Sequence, residues 1–204
     1  MHKENIIISG NIKNPAKALI MLHGRGGSAE DILSLAGHLN VKDCLLLAPL
    51  ATNNTWYPYS FLAPVAENQP WLAGALALVG KAAGEAIEKG IAKDKIYFLG
   101  FSQGACLALE YIARNASKYG GAVAFTGGLI GDKIYPENYK GNFEETPVFI
   151  GTGDPDFHVP VERVNATTSI LKQMGAAVTE KVYPGMGHTI TQDEINLANQ
   201  LVFK

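Results

Sequence analysis

The chain has only two cysteines, Cys44 and Cys106. They lie far apart and fit no metal-binding or redox spacing, which sets aside a disulfide framework and a cysteine-built metal site. Both sit among apolar residues and are expected as buried free thiols, a usage that suits a reducing cytoplasm. Charge of one sign is also scarce: 17 Lys and Arg face 19 Asp and Glu, a net charge of −2 with no basic block. Nothing in that pattern invites nucleic acid or an anionic membrane. No segment approaches the ~20 apolar residues of a membrane span, so stable membrane insertion is not expected. The start, Met1-His2-Lys3-Glu4-Asn5, runs into Ile6-Ile7-Ile8. That run is too short for a signal-peptide core and reads as a first strand. Repeats, low-complexity tracts and linkers are missing as well. The expectation is one cytoplasmic domain over residues 1–204, large enough to bury a proper core.

What is present is a regular alternation. Apolar runs at Ile6–Ser9, Ala18–Leu22, Cys44–Ala48, Ile96–Gly100, Gly121–Phe125, Val148–Gly151 and Val178–Tyr183 are strand candidates. Several are apolar on both faces, as in a parallel sheet covered on both sides. Val178–Val182 alternates more and suits a strand nearer an edge. Helix signals fall between the strands. Ser28 with Asp31 resembles a capping box and predicts a helix through about Leu39. Pro70 fits a first helical position, after which Leu72, Leu76, Val79, Ala83 and Ile87 share a face, and Gly90 closes the helix. Pro160 and Gly175 bracket another helix. Thr191 with Glu194 forms a second capping box ahead of Ile195, Leu197, Ala198 and Leu201. Strands alternating with helices predict a doubly wound α/β sheet.

The most informative stretch is Gly100-Phe101-Ser102-Gln103-Gly104. It lies between a strand candidate and an apolar helix, the setting of a nucleophile elbow. Such a turn exposes a Ser hydroxyl above the sheet, but the hydroxyl is a poor nucleophile until a base takes its proton. In this arrangement the acid and then the His follow the nucleophile along the chain. Downstream of Ser102 only His158 and His188 remain. His188 sits in a Gly-rich loop between the last strand and the last helix and is the expected base. His158 reads as a loop residue near the site. Two acids follow the strand at Val148–Gly151. Asp156, just before Val159-Pro160, is preferred; Asp154 precedes a Pro and serves to shape the turn.

The oxyanion of an acyl-transfer intermediate needs preorganised donors. One is expected from the backbone N–H of Gln103, the other from an early strand-to-helix loop. Leu22-His23-Gly24-Arg25-Gly26-Gly27 occupies that place, with Arg25 as the main-chain donor and His23 as a brace. The loop lacks both a G-x-G-x-x-G pattern and a Walker lysine, so a phosphate cradle is set aside. Two connections are long, Thr52 to Gln69 and Gly127 to Thr146. The first carries Trp56, Tyr57, Tyr59 and Phe61, expected as walls of a substrate pocket.

These motifs, in this order and spacing, resemble the phospholipase/carboxylesterase family of α/β-hydrolases, which includes the acyl-protein thioesterases. The likeness runs over essentially the whole chain. It implies an α/β-hydrolase fold, with a mostly parallel central sheet, helices on both faces and no large cap domain. It implies Ser102, Asp156 and His188 as a triad, with Arg25 and Gln103 at the oxyanion hole. The implied chemistry is carboxylic ester or thioester hydrolysis, lysophospholipids included, without cofactor or metal. The oxyanion loop departs from the thioesterases: they resemble Leu-His-Gly-Leu-Gly-Asp where this chain has Arg25-Gly26-Gly27. Their acid loop begins His-Gly where this one has Thr152-Gly153. With Trp56-Tyr57-Pro58, these features look closer to small bacterial esterases. The expected partner is a small-molecule ester; a homodimer stays open. Two alternatives stand beside hydrolysis: an acyltransferase or perhydrolase on the same acyl-enzyme, and a noncatalytic binding protein on a hydrolase scaffold.

Overall fold

The computed structural model describes residues 2–204. Its strands are β1 (Ile6–Gly10), β2 (Lys17–Leu22), β3 (Cys44–Pro49), β4 (Ile96–Phe101), β5 (Gly121–Phe125), β6 (Pro147–Asp154) and β7 (Ala177–Pro184). They form one sheet in the order β1-β3-β2-β4-β5-β6-β7. β1 runs antiparallel to β3, and the remaining pairings are parallel. All seven expected strands are present. Six are longer than their apolar runs, because backbone pairing continues past the last side chain that needs burying.

β3 and β5 are buried along their whole length, and β2, β4 and β6 along nearly all of it. Helices on both faces account for this. On one side α1 (Ala29–Ser34) and α5 (Gln192–Leu201) cover Leu19, Met21, Leu99 and Phe149 with Ile32, Ile195 and Ala198. On the other, α2 (Trp71–Glu88), α3 (Gln103–Arg114) and α4 (Val161–Gln173) cover Ile20, Leu47, Phe98 and Ile150. β7, at the edge, alternates exposed and half-buried residues over most of its length, as its sequence predicts.

Both capping boxes form, Ser28 with Asp31 and Thr191 with Glu194. α1 is shorter than predicted: it stops at Ser34 and passes into a 3₁₀ turn over Leu35–His38. Pro70 lies one residue outside α2, at its cap rather than at its first position. The buried face of α2 is Leu72, Ala75, Leu78, Val79, Ala82, Ala83 and Ala86, while Ile87 is exposed. The alanines let the helix sit close to the sheet, so the packed stripe follows small residues rather than large ones. Gly90, at φ 84°, closes α2: its N–H bonds the Ile87 carbonyl while that of Ile91 bonds Ala86. That pair of bonds is a Schellman motif, whose left-handed position favours glycine.

The parallel strands carry their following loops to one edge. β2 leads into the Gly24–Gly27 loop, β4 into Ser102, β6 into the Asp156 loop and β7 into the His188 loop. Open α/β sheets bind ligands at this edge. Among the described residues, neither long connection builds a separate cap, and no helix is long and apolar enough to cross a membrane.

Candidate active site

Ser102 sits at the tip of the turn between β4 and α3 with φ 54° and ψ −120°. A non-glycine residue in so sparsely populated a region costs on the order of 1–3 kcal/mol and persists only when its surroundings enforce it. Here the enforcement is visible. The Ser102 N–H donates to the Phe125 carbonyl at 3.0 Å, and its own carbonyl accepts from Cys106 N–H at 3.0 Å. A Cβ at Gly100 would collide with the Gly104 backbone, and one at Gly104 with the Leu22 carbonyl. The two glycines therefore let the strand, the turn and the helix pack against each other.

The His188 imidazole joins the elbow to the acid loop. Its Nε2 lies 2.7 Å from Ser102 Oγ and its Nδ1 lies 2.7 Å from Asp156 Oδ2. A carboxylate at Nδ1 assigns the proton to that nitrogen and leaves Nε2 to accept from the Ser hydroxyl. The other Asp156 oxygen, Oδ1, accepts the N–H groups of His158 at 2.7 Å and Val159 at 3.0 Å. Burial pushes the Asp156 carboxyl up, but hydrogen bonds from His188 and the two N–H groups outweigh it and hold it below its ordinary value. The group is thus an anion fixed on both oxygens. Asp154 is exposed, and its carbonyl accepts the Gly185 N–H, which ties the acid loop to the His188 loop. The His158 ring stands edge-on to His188 with centroids 4.9 Å apart.

The loop after β2 is braced as expected, and by more than one group. His23 is buried; its Nε2 accepts the Ala51 N–H at 3.1 Å, which leaves Nδ1 as donor to the Gly24 carbonyl at 2.8 Å. Burial lowers its pKa, in keeping with a neutral structural ring. The backbone N–H groups of Arg25 and Gln103 take no acceptor among the described residues. Their side chains do something the sequence did not foretell. The Arg25 guanidinium donates to the carbonyls of Pro58 at 3.0 Å and Tyr59 at 2.6 Å. The Gln103 amide accepts from Trp56 N–H at 3.0 Å and donates to the Tyr57 carbonyl at 2.8 Å. Both residues expected at the oxyanion hole therefore grip the aromatic loop.

A cavity of about 550 Å³ opens beside Ser102 and His188, within the range of small-ligand sites. Tyr57, Tyr59 and Phe61 line it. Trp56 does not. It is fully buried behind the loop, its indole N–H donates to the His23 carbonyl at 2.8 Å, and its ring packs on the His23 ring. The expectation that Trp56 walls the pocket is corrected: its hydrogen-bonding edge is spent on the loop after β2. His158, Val159 and Cys106 line the cavity instead. Burial pushes the Cys106 thiol up to about 12, so it is no thiolate nucleophile at neutral pH.

Other contributors were also missed. Asn68, wholly buried, accepts the Tyr59 N–H and donates to the Ser60 carbonyl. Arg163 donates to the carbonyls of Leu129, Gly131 and Asp132 and stands over the Phe61 ring. Neither has a local sequence signature, because Asn68 bonds backbone within its own irregular loop and Arg163 bonds backbone more than thirty residues away.

Chain order decides the class. Ser102, Asp156 and His188 follow the parallel strands β4, β6 and β7, in the chain order that α/β-hydrolases use for nucleophile, acid and His. The chain has that fold. Comparison with known proteins narrows it further: the family described as Phospholipase/Carboxylesterase matches residues 2–202, and the chain belongs to that family. Membership places it among hydrolases. A solved phospholipase/carboxylesterase from Dyadobacter fermentans is 57% identical, with a TM-score of 0.98 over 100% of this chain and 98% of that one. A probable carboxylesterase SOBER1-like from Arabidopsis thaliana is 27% identical over 195 residues, 87% of this chain and 74% of its own. Acyl-protein thioesterase 1 of Gibberella zeae is 34% identical over 112 residues, 54% of this chain. That match spans only about half of the thioesterase's length, 48%.

Proposed function

We propose that the chain is a serine hydrolase of carboxylic esters, a single α/β-hydrolase domain working through Ser102, His188 and Asp156. The observation that carries this reading is the His188 ring, hydrogen-bonded at 2.7 Å to the Ser102 hydroxyl on one side and to the Asp156 carboxylate on the other. Ser102 Oγ attacks the ester carbonyl carbon while His188 Nε2 takes its proton. Asp156 holds the ring in the required tautomer and stabilises the imidazolium. The oxyanion of the tetrahedral intermediate takes the free N–H groups of Arg25 and Gln103. Collapse breaks the bond to the alcohol, which leaves with the proton from His188. Water then attacks the acyl-Ser102, giving its proton to the same nitrogen; collapse breaks the bond to Ser102 Oγ, which takes that proton back, and the carboxylic acid is released. Thioesters and lysophospholipids present the same carbonyl and fall within the reading.

The test is turnover of a p-nitrophenyl ester by Ser102→Ala. The variant is expected to fold normally and lose kcat by several orders of magnitude, as removal of a triad nucleophile does. Near-normal turnover would overturn the reading.

A further inference from the structure

Residues 52–56 touch both sides of the proposed oxyanion hole. The Asn54 carbonyl accepts the Gly26 N–H at 2.7 Å, next to Arg25 in the loop after β2. The Trp56 N–H donates to the Gln103 side chain at 3.0 Å. Between Thr52 and Trp56 the backbone turns through Asn53 and Asn54, both at φ 55°. Asparagine tolerates the left-handed region better than most residues, yet two in succession need support from their surroundings. One imidazole holds both ends of this turn. His2 Nδ1 accepts the Thr52 N–H at 3.1 Å, and its Nε2 donates to the Trp56 carbonyl at 2.8 Å. The ring is partly buried and lies against both Trp56 and Trp71, with centroids 5.7 and 5.4 Å away.

Resting on the esterase reading above, we infer that His2 is a positioning residue for the reaction: its neutral ring pins the turn that bonds Gly26 and Gln103, and protonation of the ring releases that turn. The tautomer carries the argument. Thr52 offers an N–H, so Nδ1 must keep its lone pair; Trp56 offers a carbonyl, so Nε2 must carry the proton. A second proton, on Nδ1, would set two donors against each other and break the bond to Thr52. Burial lowers the His2 pKa, so the ring is neutral at neutral pH and charges only in acid. The charges that bear on it are the amino group at the head of the chain, which also opposes protonation, and His23 beyond the Trp56 ring. Lys3 and Glu4 are exposed, and Glu4 pairs with Lys81. Among the described residues no carboxylate pairs with the His2 ring to favour its charged form.

The experiment compares wild type, His2→Gln and His2→Ala on one p-nitrophenyl ester from weakly acidic to neutral pH. Glutamine can accept and donate through its amide but cannot titrate there. At neutral pH His2→Ala is expected to lower kcat about tenfold or more with KM little changed, the scale of a small misplacement at a reacting centre. His2→Gln should recover much of that loss. Wild type and His2→Gln share His188, so its titration cancels in the ratio of their rates. That ratio should fall in acid, as His2 charges. The chain's two tryptophans both flank His2. Wild-type tryptophan emission should therefore step over the same pH range, and that of His2→Gln should not. If His2→Ala fails to fold, the ratio and the emission step decide between wild type and His2→Gln. A His2→Ala variant that melts lower but keeps its kcat, or a ratio that stays flat with pH, would overturn the role while leaving the esterase reading intact. Failure of wild type to cleave the ester would remove that reading, and the positioning role with it.

Discussion

The Arg25 guanidinium reaches Tyr59, donating to its carbonyl at 2.6 Å, and so ties the loop after β2 to the cavity wall. A second bond to the Pro58 carbonyl makes the tie two-pronged. Movement of the aromatic loop is thereby coupled to placement of the Arg25 N–H. Arg25→Ala should lower kcat about 10–100-fold, the scale of a misplacement near 1 Å at a reacting centre. Thermal stability should change little, because the side chain is exposed. Arg25→Lys should restore only part of the rate, since one ammonium cannot reproduce a planar fork on two carbonyls. Steady-state kinetics beside a melting curve separate these outcomes.

Replacing Gly104 by Ala tests the elbow itself. The added methyl would meet the Leu22 and His23 carbonyls, which belong to the central strand β2 and its loop and have little room to retreat. Destabilisation of about 3 kcal/mol or more is expected, at the upper end for overpacking. In a chain of this size each kcal/mol lowers Tm by about 2–4 °C. A variant that melts with the wild type would show that the turn is looser than described.

Asp156 gives a pH prediction whose sign is fixed by its hydrogen bonds. Its folded-state carboxyl lies below the ordinary value. The stability it contributes is present above the unfolded-state pKa and is lost as pH falls through the folded one. Asp156→Asn should therefore lose less stability on acidification than wild type. It should also lose kcat by about 10³–10⁴-fold, because an amide no longer fixes the tautomer or stabilises the imidazolium. Acid unfolding curves and rates on one ester check both parts.

Glu194 has the opposite sign. It is fully buried, its Oε2 accepts from the Thr191 N–H and hydroxyl, and its Oε1 has no partner. Burial raises its pKa, against the pull of the two Thr191 bonds. As pH climbs from the unfolded value through the folded one, ionising this carboxyl costs stability, and the cost levels off above that point. Glu194→Gln keeps an acceptor for Thr191 but cannot titrate. The difference in Tm between the variant and wild type should shift in the variant's favour across the interval between the unfolded and the raised folded value and then stay flat. A constant difference from pH 4 to 8 would contradict this.

Much of the architecture was legible because strongly buried parallel strands must be apolar on both faces, and such runs stand out between capping boxes and C-terminal glycines. The elbow was legible for a steric reason: Gly100 and Gly104 flank Ser102, whose backbone the tight turn holds at positive φ. Ser102, Asp156 and His188 could be chosen because each follows a strand that points to one edge. The roles within the aromatic loop were not legible. Trp56 and Tyr57 are adjacent, yet one braces His23 and the other lines the cavity. Irregular backbone carries no periodicity to say which side chain points where. The side-chain work of Arg25, Gln103, Asn68 and Arg163 was equally hidden, since it is directed at carbonyl and N–H groups that any residue would supply.

The central claim is that His188 and Asp156 make the Ser102 hydroxyl reactive. It is tested most directly by treating the protein with a fluorophosphonate and locating the adduct by mass spectrometry. The account predicts one adduct, on Ser102, formed far more slowly in His188→Ala and absent in Ser102→Ala. An unmodified Ser102 in the wild type, or labelling at Ser102 that proceeds as fast without His188, would contradict it.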